Sequence, residues 1–363
     1  MKCGIVGLPN VGKSTLFNSL SKAKAQSANF PFCTIEPNVS MVQVPDKRLI
    51  RLEKIVNPER VVPAVVEIVD IAGLVKGAHK GEGLGNQFLS NIRETQAIIH
   101  VLRCFENDNI IHVEGYVDPI RDKKIIDTEL QLKDLEIVEK RLEKAKKQAK
   151  SGSKEGLKTA KLMQKIAQSL SSEKNVRTLT LADDEKEIFR NLKLLTAKPV
   201  LYLCNVDDIT VKTENHHVTA VKKNATEEQA EVLMFAAQIE ADIAELETYE
   251  EQKLFLDDLG LEEPGVHRLI RSTYELLDLQ TYFTAGIKEV KAWTIQKGCT
   301  ASEAASIIHT DFQKGFIRAE VIHYKDLINY GSEQKVKEAG KMALEGKDYI
   351  VQDGDIIHFR FNV

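Results

Sequence analysis

Nine residues near the start of the chain, Gly7-Leu8-Pro9-Asn10-Val11-Gly12-Lys13-Ser14-Thr15, have the types and spacing needed to hold a chain of phosphates. Glycine, four residues, then Gly-Lys-Ser/Thr is the phosphate-loop pattern. Its glycines let successive backbone N–H groups turn inward around an anion, and the helix behind it adds the positive end of its dipole. In such a loop the Lys13 ammonium reaches the β- and γ-phosphates, and the Ser14 hydroxyl ligates Mg²⁺. Asn10, Val11, Gly12, Lys13, Ser14 and Thr15 are therefore the expected nucleotide-binding set. The apolar Cys3–Val6 segment before the loop predicts a buried strand, and Lys13–Leu20 predicts a helix, which is the context the motif requires.

Other residues sit where a nucleotide switch would need them. Asp70-Ile71-Ala72-Gly73 fits Asp-x-x-Gly, so Asp70 would hold Mg²⁺ through water and the Gly73 N–H would touch the γ-phosphate. Thr34 can close over the nucleotide and give its hydroxyl to the same ion, which makes Ser14, Thr34 and Asp70 the expected metal set. Gly77, Gly81, Gly83 and Gly85 follow, in a stretch that a γ-phosphate could order and hydrolysis release.

Base recognition falls to Asn205-Val206-Asp207-Asp208. Guanine-specific enzymes carry Asn-Lys-x-Asp there, the Asp accepting two hydrogen bonds from the base. Here Val206 replaces the lysine and offers an apolar face to a purine, while Asp208 is retained. Ala236-Ala237-Gln238 stands where the last guanine loop reads Ser-Ala-Lys. A pocket built for one purine rejects the other by leaving buried polar groups unpaired. The missing lysines thus favour ATP, and Asp208 keeps GTP open.

The elements that must position these residues follow a βαβ rhythm. Val39–Val44, Ala64–Val69, Ala97–Leu102, Pro199–Cys204 and Val232–Ala236 predict strands, some continuously apolar as in a sheet covered on both faces. The expected fold is α/β, a doubly wound, mostly parallel sheet. Near Asp127 the pattern changes: Leu135, Val138, Leu142 and Ala145 recur at helical spacing, Ser151-Gly152-Ser153 interrupts, and Leu162, Ile166 and Leu170 continue. Residues 128–172 therefore predict an inserted antiparallel helical hairpin. Between Lys140 and Lys165 it carries ten basic residues against Glu143 and Glu155, in a chain of net charge −4. Such a stretch is either a solvated face or a polyanion contact, with RNA the leading anion. The last segment predicts a small mixed sheet with one main helix at Thr300–His309, where Thr300 and Glu303 have capping-box spacing.

A length of 363 residues suggests two or three domains. No apolar stretch approaches the ~20 residues needed to span a bilayer. The chain opens directly into a strand, and five scattered cysteines (Cys3, Cys33, Cys104, Cys204, Cys299) suit a reducing compartment, so a cytoplasmic protein is expected.

These motifs resemble the Obg-like ATPases, the YchF subfamily of translation-factor-class P-loop proteins, along the whole chain. The likeness is carried by Gly4–Thr15, Asn29–Asn38, Val69–Thr95 with Gly81-Glu82-Gly83-Leu84-Gly85-Asn86, Asn205–Asp208, and Leu279–Val363 with its Asp348–Asp355 end. The resemblance implies a P-loop NTPase domain (1–127 and 197–278), an inserted coiled coil (128–196) and a C-terminal TGS domain of ubiquitin-like β-grasp fold (279–363). It also implies a Mg²⁺-dependent ATPase that prefers ATP over GTP and associates with the ribosome, either its large subunit or the whole particle; the alternatives are a GTPase of the same architecture and a nucleotide-gated RNA- or ribosome-binding scaffold whose hydrolysis is incidental. The expected contacts are the basic hairpin and the TGS domain, in a monomer with no membrane partner. The family ends its base loop in Glu where this chain has Asp208. Leu74 stands where other switch enzymes orient water with Gln, so the water must be placed otherwise. His112, in a segment where the family keeps a histidine, and His79 are candidates for that role or are structural. Asn10 is either a K⁺ ligand or a loop-shaping residue, and Cys33 beside Thr34 either a redox-sensitive thiol or an inert one.

Overall fold

The computed structural model describes residues 1–26, 38–71, 84–246 and 248–362. The chain forms two compact units, Met1–Ser40 with Glu67–Leu269, and Met41–Val66 with Ile270–Val363. Two six-stranded sheets organise the described residues.

The first sheet runs β2 (Val39–Gln43), β4 (Val65–Asp70), β1 (Lys2–Val6), β5 (Ala97–Arg103), β6 (Val200–Asn205), β7 (Glu231–Phe235). The pairs β4–β1, β1–β5, β5–β6 and β6–β7 are parallel. Every residue of β5 and β6 is buried, which is why these strands read as largely apolar runs. Parallel pairing brings the carboxyl ends of β1, β4, β5, β6 and β7 to one edge, where ligands bind in such sheets. The phosphate loop, Asp70, Arg103, Asn205 and Ala236 follow from or end those strands.

Helix α1 (Lys13–Gln26) opens directly from the phosphate loop. The hairpin consists of α4 (Pro119–Lys150) and α5 (Lys154–Ser171), in chain order after α2 (Lys47–Val56) and α3 (Leu84–Glu94). It begins earlier than the apolar seam suggested. Asp118 caps α4 by accepting from the Ile120 and Arg121 N–H groups, with Pro119 at the first helical position. The first turns bury Asp122, Lys123, Asp127, Gln131 and Asp134, which interrupt the apolar stripe. Lys123 Nζ donates to Asp127 (2.7 Å) and Glu228 (2.6 Å), and Arg177 donates to Glu228 (2.7 Å), tying the hairpin root to the sheet domain. Further out, Val138, Leu162, Met163, Ile166 and Leu170 form an apolar core with Val176, Leu192 and Leu194.

The second sheet runs β11 (Ala343–Glu345), β10 (Phe316–Ile322), β12 (Ile356–Phe361), β8 (Leu279–Ala285), β9 (Val290–Gln296), β3 (Val61–Val62). It is mixed: β12–β8 and β3–β9 are parallel, whereas β10–β11, β10–β12 and β8–β9 are antiparallel. The helix Ala301–Ile308 has the anticipated capping box, with Glu303 N–H donating to Thr300 Oγ1 and Thr300 N–H to the Glu303 carboxylate. Its Ala301 and Ala304 pack in a core with Tyr282, Ile295, Val321 and Ile357. Residues 44–64, between β2 and β4 of the first sheet, read locally as part of the nucleotide domain, yet they belong to this unit. The strand β3 extends its sheet, and Arg48 bridges Asp46 and Asp353.

Candidate nucleotide site

The phosphate loop leaves β1 at Gly7, where a Cβ would lie 2.6 Å from the Val101 carbonyl oxygen. Gly12 has φ +99°, and a Cβ there would meet Asn205 Nδ2 at 2.3 Å. Glycine is thus required at both positions by backbone shape and close approach. Asn10 also takes a left-handed conformation, φ 61°. The first turn of α1 holds no acidic residue, so no carboxylate of its own competes for the helix N-terminus.

Lys13 Nζ donates to the Leu8 carbonyl at 2.6 Å. Burial lowers the Lys13 pKa to about 8, with the nearby Asp70 carboxylate partly opposing that shift. Burial raises the Asp70 pKa, and Lys13 in turn opposes it. The two charges act on each other, Lys13 from the start of α1 and Asp70 from the end of β4. Asp70 Oδ1 is buried with no hydrogen-bond partner among the described residues, and Ser14 is exposed. An orphaned carboxylate oxygen and an exposed hydroxyl are hard oxygen donors of the kind a hydrated Mg²⁺ takes, so these residues fit the ion. Thr34 and Gly73, with Cys33, Leu74 and His79, lie outside the described residues.

Asn205, expected in the base loop, also makes a contact that the motif does not announce. Its side chain is buried, donating from Nδ2 to the Val11 carbonyl (3.0 Å) and accepting at Oδ1 from the Ala237 N–H (3.1 Å). It clamps the phosphate loop to the loop after β7. Val206 is 3% exposed, and its N–H donates to the Phe235 carbonyl, continuing the β6–β7 pairing. Its side chain therefore packs inside rather than offering a purine an open apolar face. Asp207 Oδ1 accepts from the Thr210 N–H and hydroxyl, which leaves Asp208 as the exposed carboxylate of the loop.

His112 is also held structurally. Its Nε2 lies 2.8 Å from Asp122 Oδ2, and its Nδ1 accepts from the Glu114 N–H at 3.1 Å. Both ring nitrogens are engaged, so the ring as placed has none left for an attacking water. Sequence reasoning missed the contact just before it, in which Asn10 Nδ2 donates to the Ile111 carbonyl at 3.1 Å. It also missed Arg103, which is buried and shapes that loop; an arginine directly after the largely apolar run Ala97–Leu102 was the available signal.

On the hairpin, Lys140 pairs with Glu136, Lys158 with Asp184 and Lys165 with Glu185. Arg141, Lys144, Lys146, Lys147, Lys150, Lys154 and Lys161 are exposed and without ion pairs among the described residues. The net positive charge is therefore concentrated toward the turn at Ser151–Ser153. No helix among the described residues is long and apolar enough to cross a membrane.

A strand, phosphate loop and helix opening a parallel sheet, with a carboxylate ending the neighbouring strand, define a P-loop nucleotide-binding protein. A family model described as 50S ribosome-binding GTPase matches residues 2–150, and YchF-GTPase_C, described as a protein of unknown function (DUF933), matches 279–362. A Haemophilus ducreyi protein named "Ribosome-binding ATPase YchF" is 57% identical over 362 residues, 100% of this chain and 99% of its own. A Bacillus subtilis protein of the same name is 52% identical over 365 residues, 100% of both chains. The solved structure of the Schizosaccharomyces pombe YchF GTPase is similar with a TM-score of 0.90 at 40% identity, over 99% of this chain and 97% of that one. The chain belongs to the YchF family of P-loop nucleotide-binding proteins.

Proposed function

We propose that this chain is a Mg²⁺-dependent ATPase, a switch that hydrolyses ATP to ADP and associates with ribosomes through RNA. The observation that carries the reading is the Lys13–Asp70 pair, with one Asp70 oxygen buried and unpartnered beside an intact phosphate loop. The names of full-length relatives, "Ribosome-binding ATPase YchF", support the same reading.

In this mechanism the N–H groups of residues 10–15 line the phosphates. Lys13 exchanges its Leu8 carbonyl acceptor for β- and γ-phosphate oxygens. Ser14, Asp70 and Thr34 would hold Mg²⁺, which when bound neutralises charge on those oxygens. The Gly73 N–H would contact the γ-phosphate. Asn10, which donates from Nδ2 to the Ile111 carbonyl, would offer its Oδ1 to a K⁺. Catalysis rests on this electrostatic clamp, so turnover is slow until a partner completes the site. His112 serves that completed site only if it leaves Asp122. ATP is preferred because no lysine stands at position 206 to complete a guanine pocket. One observation favours a second reading, a GTPase of the same architecture: Asp208 is exposed at the guanine-reading position.

The hairpin, acting as a coiled-coil arm, and the C-terminal unit, acting as a TGS domain, make the RNA contacts of a cytoplasmic monomer. The test is hydrolysis and ribosome co-sedimentation by the wild type, Lys13→Met, and a variant with Lys144, Lys146, Lys147 and Lys150 replaced by Gln. Lys13→Met should abolish hydrolysis. The quadruple variant should co-sediment more weakly, its salt slope falling by about 0.7–0.9 for each phosphate no longer neutralised. Unchanged co-sedimentation would remove the hairpin from the interface, and unchanged hydrolysis in Lys13→Met would refute the site.

A further inference from the structure

We infer that Arg103 is a positioning residue for nucleotide binding, acting on the phosphate loop through Ile111 and Asn10. The inference rests on the nucleotide-site reading above. Arg103 ends β5 and is 1% exposed. Its guanidinium donates to three carbonyls of the following loop: Phe105 (3.1 Å from Nε), Ile110 (2.8 Å from Nη1) and Asn107 (3.1 Å from Nη2). It also lies over the Phe105 ring, 4.7 Å from its centroid. Backbone carbonyls from one loop thus satisfy a buried cation, and the fixed fork of the guanidinium dictates where they point.

With the carbonyls of residues 105, 107 and 110 turned toward Arg103, the next carbonyl, Ile111, meets Asn10 Nδ2 at 3.1 Å. That bond holds Asn10, whose φ of 61° is uncommon for a residue other than glycine. Asn10 lies midway between Gly7 and Lys13, so its backbone sets the direction of the N–H groups that would face phosphate. The loop is fixed at its far end too, through His112 to Asp122 and through Arg121 Nη2 to the Tyr116 carbonyl (2.7 Å). It is a strap from the end of β5 to the first turn of the hairpin, tied to the phosphate loop at Ile111 on the way. Arg103 sets its curvature.

The test is a double-mutant cycle on the full chain with Mg²⁺-ADP as the probe, read by calorimetry. Arg103→Lys should weaken ADP binding by about tenfold. In Asn10→Gly, which adopts positive φ without the tether, adding Arg103→Lys should cost less than about twofold. The same tenfold factor in both backgrounds, or no effect of Arg103→Lys in the wild-type background, overturns the inference. If Arg103→Lys does not fold, Asn10→Asp, which cannot donate to Ile111, should speed amide hydrogen exchange across residues 105–111; unchanged exchange overturns it equally. Failure of the wild type to bind ADP would instead overturn the nucleotide-site reading itself.

Discussion

Replacing Asn205 with alanine separates a clamp from a base reader. The side chain bridges the Val11 carbonyl and the Ala237 N–H, and Val11 and Ala237 are only 1% and 5% exposed. Deleting the amide leaves two buried backbone groups unpaired, at about 1–3 kcal/mol each. A single water could enter beside Gly12 and recover part of that, so a loss of about 2–4 kcal/mol is expected. A unit of this size shifts by about 2–4 °C per kcal/mol, so its melting transition should fall by about 5–15 °C. The chain's single tryptophan, Trp293, lies in the other unit and does not report this event. Scanning calorimetry, or hydrogen exchange across β1 and α1, is the suitable assay. Affinity for ATP and ADP should fall together, because the clamp acts on the phosphate loop. Asn205→Asp should be no better, since it keeps the acceptor for Ala237 but turns a second oxygen toward the Val11 carbonyl. A melting point within about 1 °C of wild type, with altered choice between adenine and guanine, would refute the clamp and restore Asn205 as a base reader.

Two other outcomes follow from the same geometry. Lys13 has a pKa of about 8 in the nucleotide-free protein, and bound phosphates must raise it. ATP binding should therefore take up protons above pH 8, with uptake fading toward pH 7 and absent in Lys13→Met; calorimetry in buffers of different ionisation heat measures this, and zero uptake at pH 9 in the wild type would contradict it. In the other unit, Thr300→Ala removes the hydroxyl that accepts from the Glu303 N–H. It should cost about 1 kcal/mol in a denaturant melt followed by Trp293 fluorescence, and a change below about 0.3 kcal/mol would mean that the cap is redundant.

What was legible in the sequence was what local chemistry dictates. The phosphate loop could be read because anion binding demands glycines and a lysine at fixed spacing next to a strand. The cap at Thr300 could be read because both partners lie within one turn. The start of α4 was hidden because its first turns bury Asp122, Lys123, Asp127, Gln131 and Asp134 among polar partners rather than in an apolar stripe. Asp118-Pro119 was nevertheless a readable start signal. Strand β8 directly follows a helix with little turn punctuation and buries Gln280 and Thr281, so its alternation is blurred. The pairing of β3 with β9 joins segments far apart in the chain, and no local propensity encodes it. The roles of Asn205, Val206 and His112 depended on partners brought by other strands and by α4. A motif could name those residues but could not say which way they face.

The central claim, an ATP-directed switch, is tested most directly by titrating the wild type with ATP and GTP in the presence of Mg²⁺ and K⁺. ATP should bind at least tenfold more tightly, a difference of about 1.4 kcal/mol. Equal or GTP-favoured binding would contradict the account and assign guanine recognition to Asp208.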